Sequence, residues 1–135
     1  MSTLIVCPQG TPLTAVTIPD SVTSIGPSAF QGCTAITSVT MHEGIGQIGI
    51  YAFFKCGQLT EVRIPDGVSS IEMGTFWGCK SLSAVFIGVN VTHIGQFAFR
   101  DCENLTHVYY AGTSEQWDGI HLEDYWNLGA PCGVY

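Results

Sequence analysis

The sequence predicts a single β-solenoid, a right-handed coil whose short parallel strands stack along one face. Residue types recur at steps of 23 positions without insertion or deletion, as in Cys33, Cys56, Cys79 and Cys102. The apolar positions of the repeat also stay apolar from copy to copy. A period in this range is typical of proteins in which each coil packs on the one before, so a repeated apolar column is buried as a whole. The main columns are Val16, Val39, Val62, Val85 and Val108, and Phe30, Phe53, Phe76 and Phe99.

Each repeat divides into a strand, a turn and an outer segment. The Val-x-Ile step of β-branched residues predicts strands at about 14–18, 37–41, 60–64, 83–87 and 106–110. In the turn after the strand, Gly44, Gly67 and Asn90 predict a backbone with positive φ. The segment from Gly26 to Cys33 is too short for a full helix, so we expect a tight turn, either a 3-10 turn or another type, on an outer wall.

The repeat carries a family resemblance. The pattern L-x-x-V-x-I-P-x-x-V-x-x-I-G-x-x-A-F-x-x-C, between Leu13 and Leu105, resembles the BspA-like (treponemal-type) leucine-rich repeat. The resemblance implies an α/β (β-rich) leucine-rich-repeat solenoid with a parallel sheet on one face and 3-10 or turn segments on the other. Local departures from the pattern are His42 and Gly88 at the turn proline, Glu72 at a glycine and Thr75 at an alanine. They affect single turns and leave the predicted fold unchanged.

The repeats leave a segment at each end for a cap. We expect residues 1–12 to form an N-terminal capping strand and turn, residues 13–112 the repeats, with four full copies and a partial fifth, and residues 113–135 a C-terminal cap. In that cap, Ser114 is predicted to be the N-cap of a short helix, with Glu115 in its first turn. The apolar residues expected to shield the last coil are Trp117, Ile120, Leu122, Tyr125 and Trp126.

Composition excludes two classes of partner. The net charge is −7 and only four residues are cationic, so the chain has no basic stripe for nucleic acid. No apolar run approaches the roughly 20 residues of a membrane span, so we expect no membrane insertion. No basic-then-apolar signal segment opens the chain, which leaves open a cytoplasmic protein or a fragment whose export signal lies outside it.

Cysteines and histidines predict no cofactor or metal. Stacked ladder thiols keep their Cβ atoms about 4.8 Å apart, beyond the 3.5–4.5 Å of a disulfide, so we expect Cys33, Cys56, Cys79 and Cys102 to be free and buried. A bond between Cys7 and Cys132 would have to cross the array, which argues against it. Zinc-type C-x-x-C spacing is absent. The histidines His42, His93, His107 and His121 occupy different columns and form no evident cluster.

Two surfaces are candidates for binding. On the strand face, the outward positions of the C-terminal half are Glu61, Arg63, Phe86, His107 and Tyr109, which we call the strand-face patch. Arginine and aromatic residues are common anchors of interfaces, but the same residues are also ordinary cross-strand surface pairs. On the outer wall, the outer-wall cluster comprises Tyr51, Phe54, Trp77 and Phe97. It is either an exposed apolar contact surface or an extension of the core.

Three functions remain open at this point. The resemblance implies a non-enzymatic module for protein–protein binding or adhesion in a bacterial surface protein, exposed on the cell or secreted. The first alternative is a structural spacer repeat whose faces bind copies of itself, so self-association stays open. The second is carbohydrate binding by the exposed aromatic residues. The sequence contains no phosphate loop, nucleophile elbow or carboxylate pair that would indicate an enzyme.

Overall fold

The protein is a parallel β-solenoid in the computed structural model, which describes residues 2–4 and 14–134. Leu13, Cys7 and most of the predicted N-terminal cap lie outside the described residues. The strand face is a six-stranded parallel sheet in the order β12-β10-β8-β6-β4-β2. Its strands are β2 (Ala15–Thr17), β4 (Ser38–Thr40), β6 (Glu61–Arg63), β8 (Ala84–Ile87), β10 (His107–Tyr110) and β12 (Gly133–Val134). The strands predicted from the Val-x-Ile step are confirmed, each slightly shorter than expected.

A second wall of short strands follows the turn. It consists of two three-stranded parallel sheets, β1-β3-β5 and β11-β9-β7. These strands are β1 (Ser2–Leu4), β3 (Val22–Ile25), β5 (Gln47–Ile48), β7 (Ser70–Ile71), β9 (His93–Ile94) and β11 (His121–Leu122). In both walls like columns pair in register, for example Val62 with Val85 and Ile71 with Ile94. The exact repeat therefore becomes an exact stacking of like residues.

The outer wall consists of consecutive turns, one of the two forms expected for it. Within one coil, Ala29 N–H donates to Gly26 O and Gln31 N–H donates to Ser28 O. Alternate residues donate instead to the next coil, as Phe30 N–H does to Ala52 O at 2.7 Å. This alternation requires left-handed residues that interrupt any helix. They form two columns: Ser28, Tyr51, Gly74, Phe97 and Tyr125, and Gly32, Lys55, Gly78, Asp101 and Gly129.

The prediction of positive φ at Gly44, Gly67 and Asn90 was wrong, because none of them adopts it. Glycine fits Gly44 and Gly67 because a larger side chain would crowd neighbouring atoms. A Cβ on Gly67 would lie 3.0 Å from the carbonyl oxygen of Ile45 in the preceding coil, and one on Gly44 would lie 3.0 Å from the His42 ring. The glycines therefore allow close packing of neighbouring turns.

The core is a set of apolar columns with an aromatic stack at its centre. Phe30, Phe53, Phe76 and Phe99 stack face to face, with centroids 5.2–5.4 Å apart and planes within 6°. All four rings are buried. At the C-terminal end, Trp126 packs edge-on against Phe99 at 6.2 Å. The indole ring thus closes the end of the phenylalanine stack.

The cysteine ladder runs beside this stack. Each thiol donates to the carbonyl oxygen of the phenylalanine 26 residues earlier, from Cys56 to Phe30, Cys79 to Phe53 and Cys102 to Phe76, at 3.0–3.1 Å. Burial raises the pKa of Cys56 and Cys102 to about 12 and that of Cys79 well above its usual range. These three thiols are free and buried, as predicted.

The prediction was wrong for Cys33, which is disulfide-bonded. The spacing of stacked ladder thiols excludes bonds between them, and Cys56, Cys79 and Cys102 are free. That spacing does not restrict a bond that Cys33 makes outside the ladder. Cys132 is a free thiol, so the bond to Cys7 that we argued against is not formed.

The last coil differs from the others because a helix is inserted into it. Helix α1 (Ser114–Asp118) is five residues long, and its N-cap is Thr113 rather than the predicted Ser114. Thr113 and Gln116 bond reciprocally in a capping box, while Glu115 lies in the first turn as expected. The chain then re-enters the solenoid. Ile120 is buried, and Trp117, Leu122 and Trp126 pack against the core, but Tyr125 is 59% exposed.

The departures from the repeat pattern have local explanations. His42 takes the place of a turn proline, and its Nδ1 accepts from Gly44 N–H. Its Nε2 lies 2.8 Å from Val22 O and 3.0 Å from Pro19 O, so the ring ties its turn to the preceding one. Thr75 is fully buried, and its hydroxyl donates to Glu72 O at 2.8 Å. Both polar substitutions are therefore satisfied by hydrogen bonds.

Candidate functional site

The strand-face patch contains a continuous stack of side chains on consecutive coils. Strand pairing places Arg63 beside Phe86 and Phe86 beside Tyr109. The Arg63 guanidinium lies 4.2 Å from the centre of the Phe86 ring, a cation–π contact. The Phe86 and Tyr109 rings stack with centroids 4.8 Å apart and planes at 14°. These three side chains are ordered by one another before any partner binds.

The remaining patch residues lie in the neighbouring outward column. Glu61, Ala84 and His107 are paired in register across β6, β8 and β10. The His107 ring stacks on Tyr109 at 5.6 Å, and its Nδ1 lies 3.0 Å from the Thr106 hydroxyl oxygen. Glu61 adds an exposed carboxylate. The patch thus offers one cation, one anion and three rings on an otherwise flat sheet.

The N-terminal half of the same face is polar. Thr17 and Thr40 occupy the column of Arg63, and both are exposed. Nearby, the hydroxyls of Thr37 and Thr60 donate to carbonyl oxygens of the preceding coil at 2.9 Å and 3.3 Å. Small hydroxyl side chains of this kind provide little area for an apolar contact. The two halves of the strand face therefore differ in chemistry.

The outer-wall cluster is also continuous. Tyr51, Phe54, Trp77 and Phe97 are half-buried, with neighbouring ring centroids 5.3–6.3 Å apart. Tyr125 extends it by stacking on Phe97 at 6.0 Å. The guanidinium of Arg100 lies 4.7 Å from the centre of Trp77 and 5.0 Å from that of Phe97. The rings are neither fully core nor fully exposed.

The outer-wall cluster includes aromatic residues in a backbone conformation that favours glycine. Tyr51, Phe97 and Tyr125 have φ of 55–60°, and Gly74 occupies the same column with φ of 63°. A side chain larger than glycine costs about 1–2 kcal/mol at such a position. At Gly74 the missing Cβ leaves the space that the Tyr51 ring fills. Three positions of one column thus hold an aromatic residue in a backbone conformation that costs free energy.

The structure also brings together residues that the sequence reading kept apart. His121 pairs with His93 between β11 and β9, and Glu123 lies beside them. The expectation that the histidines form no cluster was therefore wrong. The inserted helix changes the step from 23 to 28 residues in the last coil, so His121 falls in the column of His93. A sequence signal for this longer step exists. At a step of 28 residues, Leu122 aligns with Ile94 and Tyr125 aligns with Phe97, which would have placed His121 beside His93.

A family model for the BspA type leucine rich repeat region matches residues 7–120 with six copies. The chain belongs to this family. The match confirms the resemblance carried by the 23-residue pattern. No curated protein matches the chain. The repeat fold of this family is typically non-enzymatic.

Solved structures of leucine-rich repeat proteins from bacteria are similar to the chain. A leucine-rich cell surface protein of Faecalibacterium prausnitzii A2-165 is similar with a TM-score of 0.80 and 27% identity, over 88% of this chain and 38% of that protein. A leucine-rich repeat protein of Bacteroides ovatus is similar with a TM-score of 0.66 and 29% identity, over 70% of this chain and 33% of that protein. A leucine-rich repeat protein of Treponema pallidum is similar with a TM-score of 0.65 and 27% identity, over 73% of this chain and 59% of that protein. The chain therefore spans less than two thirds of each of these structures.

Membrane insertion by a helix was not expected from the sequence. Among the residues that the structure describes, no helix combines the length and the apolarity that a bilayer crossing requires.

Proposed function

We propose that this chain is a non-enzymatic interaction module of a bacterial surface protein, and that it binds a protein partner through the strand-face patch. The observation that carries the proposal is the stack of Arg63, Phe86 and Tyr109 on three consecutive coils. Arginine and aromatic residues are enriched among the side chains that dominate binding energy. Because these three side chains are already ordered against each other, they lose little conformational entropy when a partner docks on them.

The disulfide of Cys33 supports a location outside the cytoplasm. Disulfides persist in secreted and surface proteins and are rare where thiols are kept reduced. The similar protein from Faecalibacterium prausnitzii is described as a cell surface protein. Both arguments support a surface or secreted location, where the proposed adhesive role would operate.

Binding to a panel of purified surface and matrix proteins, measured by biolayer interferometry, tests this function. We expect Phe86→Ala and Tyr109→Ala each to weaken a saturable interaction by about 2 kcal/mol or more, the scale of a central anchor. Thr17→Ala and Thr40→Ala are the matched controls, since they lie on the same face and should change affinity by less than about 0.5 kcal/mol. Equal effects in the two pairs would rule out the strand-face patch.

The outer-wall cluster supports a second candidate, contact with sugars or with another copy of the chain. The observation in its favour is the exposure of Tyr125 and Leu128, which are 59% and 43% accessible beside the cluster. Glycan arrays test for sugar binding, and light scattering across a concentration series tests for self-association. Loss of either interaction in Trp77→Ala, with no effect of Phe86→Ala, would identify the outer wall as the functional surface.

A further inference from the structure

Three metal-ligating side chains converge at the C-terminal end of the second wall. His93 Nε2 lies 3.7 Å from Glu123 Oε1. The rings of His93 and His121 stack with centroids 5.3 Å apart and planes at 19°. One ligand atom from each of the three residues lies within 4.8 Å of the others. The cluster is outside both proposed binding surfaces and is independent of their function.

The fold fixes the backbone that carries these side chains. His121 N–H donates to Thr92 O at 2.9 Å, and Glu123 N–H donates to Ile94 O at 3.0 Å. Residues along a strand alternate between faces, so His121 and Glu123 point outward while Leu122 packs against the core. The pairing of β11 with β9 adds His93 to the same outward face. Small side-chain rotations would bring the three ligand atoms into a common coordination sphere.

We propose that His93, His121 and Glu123 bind a divalent transition-metal ion of the Zn²⁺ type. Imidazole nitrogen with a carboxylate oxygen is a donor set that suits zinc, and neutral histidines leave the set one negative charge against the two positive charges of the ion. In a tetrahedral zinc site with bonds of about 2.0–2.2 Å, neighbouring ligand atoms lie about 3.4 Å apart. The 3.7 Å between His93 and Glu123 is already close to that separation.

The site retains an open coordination position. Three protein ligands leave the fourth tetrahedral position for water or for a donor atom of another molecule. An open cleft of about 340 Å³ adjoins the cluster, lined by Gln96, Leu122 and Asp124 together with His121 and Glu123. The amide of Gln96 and the carboxylate of Asp124 are polar groups that could hold a bound water or a donor group there. His121 is exposed and the other two ligands are half-buried, so the ion has free access.

Zinc titration by calorimetry tests the site. For this titration the protein is prepared without a histidine purification tag. It also contains Cys132→Ser, because Cys132 is a half-buried free thiol that could bind zinc by itself. Zinc sulfate should bind with one ion per chain. Loss of an outer-shell partner alone typically costs about 10- to 100-fold in metal affinity, so we expect His93→Gln, His121→Gln and Glu123→Gln each to cost at least about tenfold.

Matched controls separate the cluster from the other ligands of the chain. His107→Gln and Glu115→Gln remove the same chemical groups elsewhere and should leave zinc affinity within about twofold, well short of the loss of a ligand. Co²⁺ in place of Zn²⁺ gives visible absorption bands that should disappear in His121→Gln, and His121 is suited to this test because its side chain is exposed. Absence of saturable zinc binding, or binding that survives His93→Gln and His121→Gln, would overturn the proposal.

Discussion

The thiols of Cys56, Cys79 and Cys102 illustrate how single residues serve the stacked coils. Each fills space beside the phenylalanine stack and also donates to a phenylalanine carbonyl oxygen of the preceding coil. Burial favours the neutral thiol, which raises its pKa and removes its reactivity as a nucleophile. A cysteine at this position is therefore a small apolar residue with one hydrogen bond, and not a reactive site.

We expect alkaline pH to destabilise the protein through these thiols. In the folded protein the pKa of Cys56 and Cys102 is about 12, whereas the pKa of a cysteine in an unfolded chain is about 8.5. The unfolded chain thus loses protons that the folded chain keeps, so stability is fully present below about pH 8.5 and declines as the pH rises toward 12. Each thiol contributes up to about 1.4 kcal/mol per pH unit. Urea unfolding between about pH 7 and pH 10 measures the decline.

Cys79→Ala is the matched comparison for this pH dependence, because it keeps every other titrating group. The free energy of unfolding of the variant should decline less steeply above about pH 8.5. Parallel pH profiles of the two proteins would contradict a raised thiol pKa in the ladder.

At the scale of elements, the three walls of a coil stabilise the solenoid in different ways. The strand face and the second wall form regular parallel ladders, and the outer wall joins coils by single hydrogen bonds at alternate residues. The outer wall therefore needs two left-handed residues per coil. The phenylalanine column lies directly inside that wall, so each ring is packed between the rings of its neighbours.

Phe53→Ala should cost about 3–5 kcal/mol of unfolding free energy, the range for emptying a buried phenylalanine site. Phe53 is fully buried and stacks on both Phe30 and Phe76. Since each coil is stabilised mainly by its neighbours, amide hydrogen exchange should quicken in the adjoining coils as well. Phe54→Ala is the control one residue away on the half-buried outer wall, and it should cost clearly less. A loss below about 1 kcal/mol for Phe53→Ala would mean that this column is not the core.

At the scale of the whole molecule, the C-terminal coil closes the array. It adds β11 and β12 to the two walls and places Trp126 on the last ring of the phenylalanine stack. Trp117 contacts both Trp126 and Tyr110, so the segment around the inserted helix packs onto the same end. An apolar stack that ends in solvent would be a site for association, and the indole ring covers it.

Trp126→Ala should destabilise the C-terminal end before the rest of the molecule. Repeat proteins lose stability locally when a terminal coil is weakened, so amide exchange should quicken in β10 and β9 while β4 stays protected. Tyr125→Ala removes the exposed neighbouring ring and should quicken the exchange of the Phe99 coil clearly less than Trp126→Ala does. Uniform quickening along the chain in Trp126→Ala would contradict a capping role for the indole ring.

Part of the candidate surface could be read from the sequence, because strand columns are defined by the repeat. Arg63, Phe86 and Tyr109 are 23 residues apart, and that spacing places them side by side on parallel strands. Their cation–π contact and ring stacking depend on side-chain rotation, which the spacing does not specify. The left-handed columns of the outer wall were missed because aromatic residues such as Tyr51 and Phe97 give no glycine signal there.

By itself the sequence determined the period, the parallel stacking and the identity of the core columns, since in-register coils place like residues on like residues. The tertiary structure decided where that register changes. Helix α1 lengthens the step in the last coil, and only the pairing of β11 with β9 brings His121 and Glu123 to His93. It also decided that Cys33 is bonded while the other ladder thiols are free. The changed register depends on contacts beyond the last regular repeat, where the 23-residue period no longer constrains which residues meet.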